Sequence, residues 1–396
     1  MRITPATELT DRFQRLQSLM LQESLDAVIL AQNADLFYFS GATQQGLLYI
    51  PVDGEPLYLV RRDFGRARME SGLKHLVPLR SPRDLPGVLA DFGYATPKRV
   101  GLELDVLPVA FFRRLEKVLT GCDFRDATPL IRGVRAVKSD YEISIMKDAA
   151  LIADKIHQRA AEVIREGITD LELAAELEFH ARKEGHQGYI RMRGFNSEIF
   201  FGHAFSGPDS AVPTGSDTPL GGMGLNPSFA QGASYKKIRP QEPVLVDFVS
   251  CFDGYMVDQT RLFCIGGLDP KLEKGFADML QIQQLLMEQA RPGVAWGAIY
   301  DTCLQAARQL GYGEHFMGAG NARVSFIGHG VGVELDEYPF IARGFNDQLL
   351  EEKMTFAFEP KVVFPGLGAV GIENTFWVSG DGLKSLTYSD QSLRIL

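Results

Sequence analysis

VDFVSCFDGYMVDQTR, residues Val246 to Arg261, sets two aspartates, Asp247 and Asp258, inside what otherwise reads as a pair of apolar strands. A carboxylate buried there without a partner is expensive. Asp253-Gly254 between the two β-rich runs signals a two-residue hairpin loop. Phe252 then pairs with Tyr255, and counting outward sets Val249 opposite Asp258 and Asp247 opposite Thr260. Because side chains alternate faces, Asp247, Val249 and Asp258 share one face, with the aspartates diagonal neighbours ~7–8 Å apart at the backbone. One reading is a capped turn plus a pair with Arg261. The other is a shared cation, since like charges this close repel and raise a pKa unless something neutralises them.

Downstream, SFIGHGVGVELDEYP places His329 between Gly328 and Gly330, glycines that let the backbone bend close to a ligand. A lone His in a strand is often a satisfied core residue, yet His is also the commonest metal ligand. TFAFEPKVVFPGLGAVGIENTFWV then carries Glu359 and Glu373, fourteen positions apart, on two further apolar strands around a turn at Pro365 to Gly368. Buried glutamates are rare unless paired. A two-residue loop at Gly366-Leu367 puts them on opposite faces, whereas a three-residue loop or a bulge lets them converge. Four carboxylates and one imidazole call for two divalent cations, and an oxygen-rich set suits Mn, Co, Fe or Zn better than copper or a thiolate cluster. Such a centre suits amide hydrolysis.

The chain has 396 residues, enough for two or three domains, with 45% hydrophobic and 23% charged residues. A net charge of -9 argues against nucleic acid or an anionic membrane as the main partner. The four cysteines lack CxxC spacing and read as reduced, mostly buried thiols. With neither a signal-peptide pattern nor an apolar run of ~18 residues, the expected location is the cytoplasm.

Leu9, Phe13, Leu16 and Met20 recur at helical spacing, and strand candidates follow at Ala27 to Leu30, Leu47, Pro56 and Arg99, with a helical pattern from Val109. That is an α/β domain over residues 1–134. The second domain, residues 135–396, opens on a capping box, Ser139 with Glu142, and repeats it at Thr169 with Glu172. Residues 206–234 are crowded with Gly, Pro and Ser and read as a long functional loop. Two helices follow the hairpin, Lys271 to Ala290 and Trp296 to Leu310, and the end from Val324 to Trp377 is β-rich.

These motifs resemble the pita-bread metallopeptidase family of methionine aminopeptidase, aminopeptidase P and prolidase. The family pattern is an Asp, a second Asp eleven positions on in D-x-T-R, a His in G-H-G-x-G, Glu-Pro, and a Glu in I-E-[DN]-T. Here these stand at Asp247, Asp258, His329, Glu359 and Glu373. The N-terminal domain and the K-S-x-x-E-I start at Lys138 resemble the Xaa-Pro peptidase and creatinase branch. The resemblance implies a two-domain α/β protein, a creatinase/prolidase-like domain followed by a pita-bread α+β catalytic domain. It implies Asp247 on one ion, His329 and Glu359 on the other, Asp258 and Glu373 bridging, and Glu359 as proton acceptor. Two divalent ions are implied, Mn or Co before Zn or Fe.

The substrate side departs from the pattern. Pro213-Thr214 stands where Pro-His is usual, Asp336 replaces a second His seven positions after His329, and Gly371 replaces an Arg two positions before Glu373. His203, Thr214 and Asp336 are the substrate-binding candidates, with Arg191 and Arg193 as further basic groups. The expected activity is cleavage of a small amide, first an Xaa-Pro peptide, as aminopeptidase P or prolidase. Alternatives are a creatinase- or ectoine-hydrolase-like C–N hydrolase of a non-peptide substrate, and a non-catalytic pita-bread binding protein. A homodimer is expected by analogy.

Overall fold

The computed structural model describes residues 2–396, which form two compact units. The first comprises residues up to Arg135 together with Arg193–Ser197. Its six strands are β1 (Ala27–Leu30), β2 (Gly46–Pro51), β3 (Leu57–Val60), β4 (His75–Pro78), β5 (Arg99–Leu102) and β6 (Asp123–Asp126). They lie in the order β4-β3-β2-β1-β5-β6, antiparallel from β1 through β3 and parallel elsewhere. Every residue of β1 and β3 is buried, as in a sheet covered on both faces. β6, the sequence DFRD, escapes an apolar-run reading because it is a mostly exposed edge. The helix Ala6–Gln22 buries Leu9, Phe13, Leu16 and Met20, as their spacing predicts.

Arg193, a basic candidate from the sequence, is committed inside this unit. Its guanidinium donates to Asp35 at 2.8 Å and to Asp105 at 2.5 Å.

The second unit comprises Ala136–Met192 and Glu198–Leu396. Helices Asp140–Val163 and Asp170–Lys183 both start in the reciprocal capping boxes that Ser139/Glu142 and Thr169/Glu172 announce. Strands β7 (Gly202–Ser206), β8 (Val244–Phe252) and β9 (Tyr255–Cys264) follow, then helices Pro270–Gln289 and Trp296–Gln309. The chain ends in β10 (Phe326–Val331), β11 (Leu335–Ala342), β12 (Thr355–Phe358), β13 (Lys361–Phe364), β14 (Gly368–Gly371), β15 (Asn374–Ser379), β16 (Gly382–Ser385) and β17 (Arg394–Ile395). Three sheets result, ordered β17-β9-β8-β7, β11-β10-β12-β15-β16, and β13-β14.

Strand alternation decides which way the hairpin acids point. Val244, Val246 and Phe248 of β8 pack with Ile152, Ile156 and Ala160 of the first helix. Leu245 and Leu262 belong instead to the core built on Phe356, Phe358, Val362 and Val370. Asp247, Asp258 and Thr260 share parity or register with this second set and face the Glu-bearing strands. Within 206–234, a turn of 3-10 helix at Gly207–Ala211 gives way to irregular chain that hydrogen-bonds to itself, Gly222 N to Val212 O and Gly232 N to Gly221 O. Among the described residues, no helix is long and apolar enough to cross a membrane.

Candidate metal centre

β8 and β9 pair in the register that the Asp253-Gly254 loop predicts: Phe252 with Tyr255, Val249 with Asp258, Asp247 with Thr260. Asp253 and Gly254 both hold positive φ, 44° and 86°, the requirement of a type I′ turn. The problem of Glu359 and Glu373 resolves through the longer loop. Phe364 pairs with Gly368 across the three residues Pro365, Gly366 and Leu367, and Lys361 pairs with Gly371. Phe358 pairs with Asn374 in the same register, so the glutamates stand across from each other where two ladders meet.

His329 sits on β10 between β11 and β12. A Cβ on Gly328 would fall 2.5 Å from Ala357 O, and one on Gly330 2.3 Å from Tyr338 O. The flanking glycines therefore serve the close approach of two neighbouring strands, not the bend toward a ligand expected from the sequence.

All five expected ligands are buried and converge. Ligand atoms of Asp258, His329 and Glu373 lie within 4.8 Å of one another. His329 Nε2 is 3.8 Å from Glu359 Oε1 and 3.9 Å from Glu373 Oε1. Glu373 Oε1 is buried without a hydrogen-bond partner. An orphaned, buried carboxylate oxygen beside a second carboxylate and an imidazole fits a divalent cation held at these three residues.

The threonines of the two motifs brace the acids. Thr260 Oγ1 donates to Glu373 Oε2 at 2.8 Å, and the two backbones form an isolated bridge between sheets. Thr375 Oγ1 accepts from Asp258 N and donates to Asp258 O, both at 2.9 Å. Arg261 donates to the carbonyls of Thr260, Glu373 and Ser389 and to Asn374 Oδ1.

Lys361, which the sequence reading passed over, enters the same cluster. Its ammonium donates to Glu359 Oε2 at 2.6 Å, Glu373 Oε2 at 2.9 Å and Asp247 Oδ2 at 3.1 Å. Burial would strip its proton, but these three carboxylates hold its pKa well above the usual lysine range. Burial raises Asp247 too, yet Lys361 and His203 bring it below the ordinary carboxylate range. Asp258 is pushed well up by burial and then by the charges of Glu373 and Asp247. Burial likewise lifts Glu373, to about 8.

The substrate-side candidates fall in three different places. His203 lies on β7 directly across from Asp247. Its Nε2 faces the side-chain nitrogen of Gln231 at 3.0 Å, with Ser216 donating to Gln231 Oε1 at 2.8 Å and fixing that amide. Burial lowers the His203 pKa to about 4, so the ring is neutral. Asp336, at φ 63°, places Oδ1 3.5 Å from His329 Nδ1. Thr214 is half-buried, and its hydroxyl donates to Ala230 O at 3.1 Å. Arg191 lies over the Tyr189 ring, 5.1 Å from its centroid.

The chain as a whole is similar to known proteins. A family model described as Metallopeptidase family M24 matches residues 144–380, and one described as Creatinase/Prolidase N-terminal domain matches residues 12–137. The Xaa-Pro dipeptidase of Pyrococcus horikoshii is 28% identical over 97% of this chain and 99% of its own. The prolidase structure from Pyrococcus horikoshii OT3 superposes with a TM-score of 0.81 at 27% identity, covering 97% and 99% of the two chains. An Xaa-Pro dipeptidase structure from Bacillus anthracis gives 0.83 at 25% identity, covering 98% and 100%.

Proposed function

The chain belongs to metallopeptidase family M24, and from that premise we propose that it is a metal-dependent Xaa-Pro peptidase acting on dipeptides or short peptides. The observation that carries this reading is the convergence of Asp258, His329 and Glu373 around an orphaned carboxylate oxygen, in a chain that aligns end to end with an Xaa-Pro dipeptidase. The ion is Mn or Co before Zn or Fe, because oxygen donors outnumber the single imidazole. When bound, it supplies Lewis acidity toward the scissile carbonyl and the attacking water.

The chain's own groups do the rest. Glu359 accepts the proton of the attacking water through Oε1, since Oε2 is engaged with Lys361. Thr260 and Arg261 hold Glu373 in place from the side chain and the backbone. Gly330 O, 3.3 Å from His329 Nδ1, orients the imidazole, with the Asp336 carboxylate 3.5 Å from the same nitrogen. His203, neutral and beside Asp247, is the substrate-side group that its position supports best, and Thr214, bonded to Ala230 O, is a further candidate. A homodimer in the cytoplasm belongs to the same proposal. The sequence raises a second ion at Asp247, but Lys361 already stands at that carboxylate.

The test is to load the protein with Mn or Co and offer Xaa-Pro dipeptides and longer Xaa-Pro peptides. Turnover of either is expected, and the length preference separates dipeptidase from aminopeptidase. Metal bound without turnover of any of them overturns the peptidase assignment.

A further inference from the structure

We propose that Lys361 permanently fills one of the two cation positions expected in this centre, leaving it a single divalent ion at Asp258, His329 and Glu373. The proposal rests on the metallopeptidase reading for that one ion and departs from it on the second.

The geometry of the ammonium carries it. A lysine has three N–H donors, and Lys361 directs them to oxygens of three different carboxylates, Asp247, Glu359 and Glu373, at 2.6–3.1 Å. Asp247 and Glu373 are two of the three groups expected around the second cation, and both give an oxygen to the ammonium. The side chain is 1% exposed, and its neighbours enclose it as a fixed part of the core.

The carboxylates are divided accordingly. Glu373 turns Oε2 to Lys361 and to Thr260, while Oε1 has no hydrogen-bond partner. Glu359 gives Oε2 to Lys361 and holds Oε1 3.8 Å from His329 Nε2. Each glutamate thus presents one oxygen to the lysine and the other to the side of His329. The arrangement has one filled cation position and one position with ligands still to satisfy.

Gly371 is the second, independent observation. It pairs with Lys361, and a Cβ there would fall 2.5 Å from Lys361 Cγ and 2.5 Å from Pro360 O. Any side chain at 371 would collide with the stem that carries the ammonium inward. The residue read from sequence as a lost substrate group is the one that admits the lysine.

The test is the count of manganese. The full-length protein is incubated with excess Mn²⁺, desalted, and assayed for metal per chain and by electron paramagnetic resonance. One Mn²⁺ per chain with the uncoupled spectrum of an isolated ion is expected. Two per chain with an exchange-coupled spectrum overturns the proposal and leaves the metallopeptidase reading standing, whereas failure to bind Mn²⁺ and Co²⁺ alike overturns both. Lys361→Ala should rise to two per chain, and a folded variant that stays at one shows that the lysine excludes nothing. If the variant fails to fold, the wild-type count and spectrum still decide.

Discussion

Gly371 stands opposite Lys361 across the β13–β14 ladder, with room for a hydrogen and not for a methyl group. Gly371→Ala should therefore lower stability by about 1–3 kcal/mol, the usual range for overpacking a tight site. Lys361→Ala in the same background should recover only part, because Pro360 O is backbone and cannot be trimmed. Urea midpoints of the single and double variants measure both. A Gly371→Ala protein within about 0.5 kcal/mol of wild type would show that the ladder yields.

Glu359→Gln keeps the shape of the side chain and removes the proton acceptor. A loss in kcat of about 10²–10⁴-fold is expected. Glu359 Oε1 lies 3.8 Å from His329 Nε2, where the amide oxygen of the variant still faces the ion, so Mn²⁺ per chain should change far less than kcat. A variant that loses its metal together with its activity would place Glu359 among the ligands.

Thr375→Val removes a hydroxyl that serves both the N–H and the carbonyl of Asp258. An unpaired buried amide costs about 1–3 kcal/mol. Thr260→Val instead leaves Glu373 Oε2 to Lys361 alone, and Mn²⁺ affinity should weaken by about 10–100-fold as for other groups that orient a ligand. Titration calorimetry with Mn²⁺ separates the two, and unaltered affinity in Thr260→Val would remove Thr260 from any role in the centre.

His157 is buried between Ala153 O and Val246 O, and burial followed by the charge of Arg261 lowers its pKa to about 4. A base whose folded pKa is depressed adds stability above its ordinary pKa, about 6.5, which is lost as pH falls toward 4. In that window His157 should contribute a slope of up to about 1.36 kcal/mol per pH unit, and His157→Gln should flatten it by one proton. Urea midpoints between the two pH values test this in metal-free protein. An unchanged slope would assign the acid sensitivity to His186 and His203, both also lowered to about 4 by burial.

Much of the centre is legible locally. Asp253-Gly254 admits one common hairpin register, and strand parity then puts Asp247 and Asp258 on one face. The capping boxes at Ser139 and Thr169 mark two helix starts, because a hydroxyl and a carboxylate three residues apart can satisfy only a helix's free amides. Glu359 and Glu373 were ambiguous, since the turn residues permit loops of two or three, and each choice reverses one glutamate.

The residue types, their order and the hairpin register were determined by sequence, because each depends on neighbours within a few positions. Which acids share a cation was decided only in three dimensions. Lys361 lies two positions from Glu359, yet a lysine in an apolar run reads locally as a solvated charge. It becomes a buried ammonium only because the hairpin strands bring Asp247 to it, the three-residue loop brings Glu373, and Gly371 leaves space for its stem. Burial makes the three carboxylates strong partners for that charge, and burial is a property of the packed sheets, which no single strand possesses.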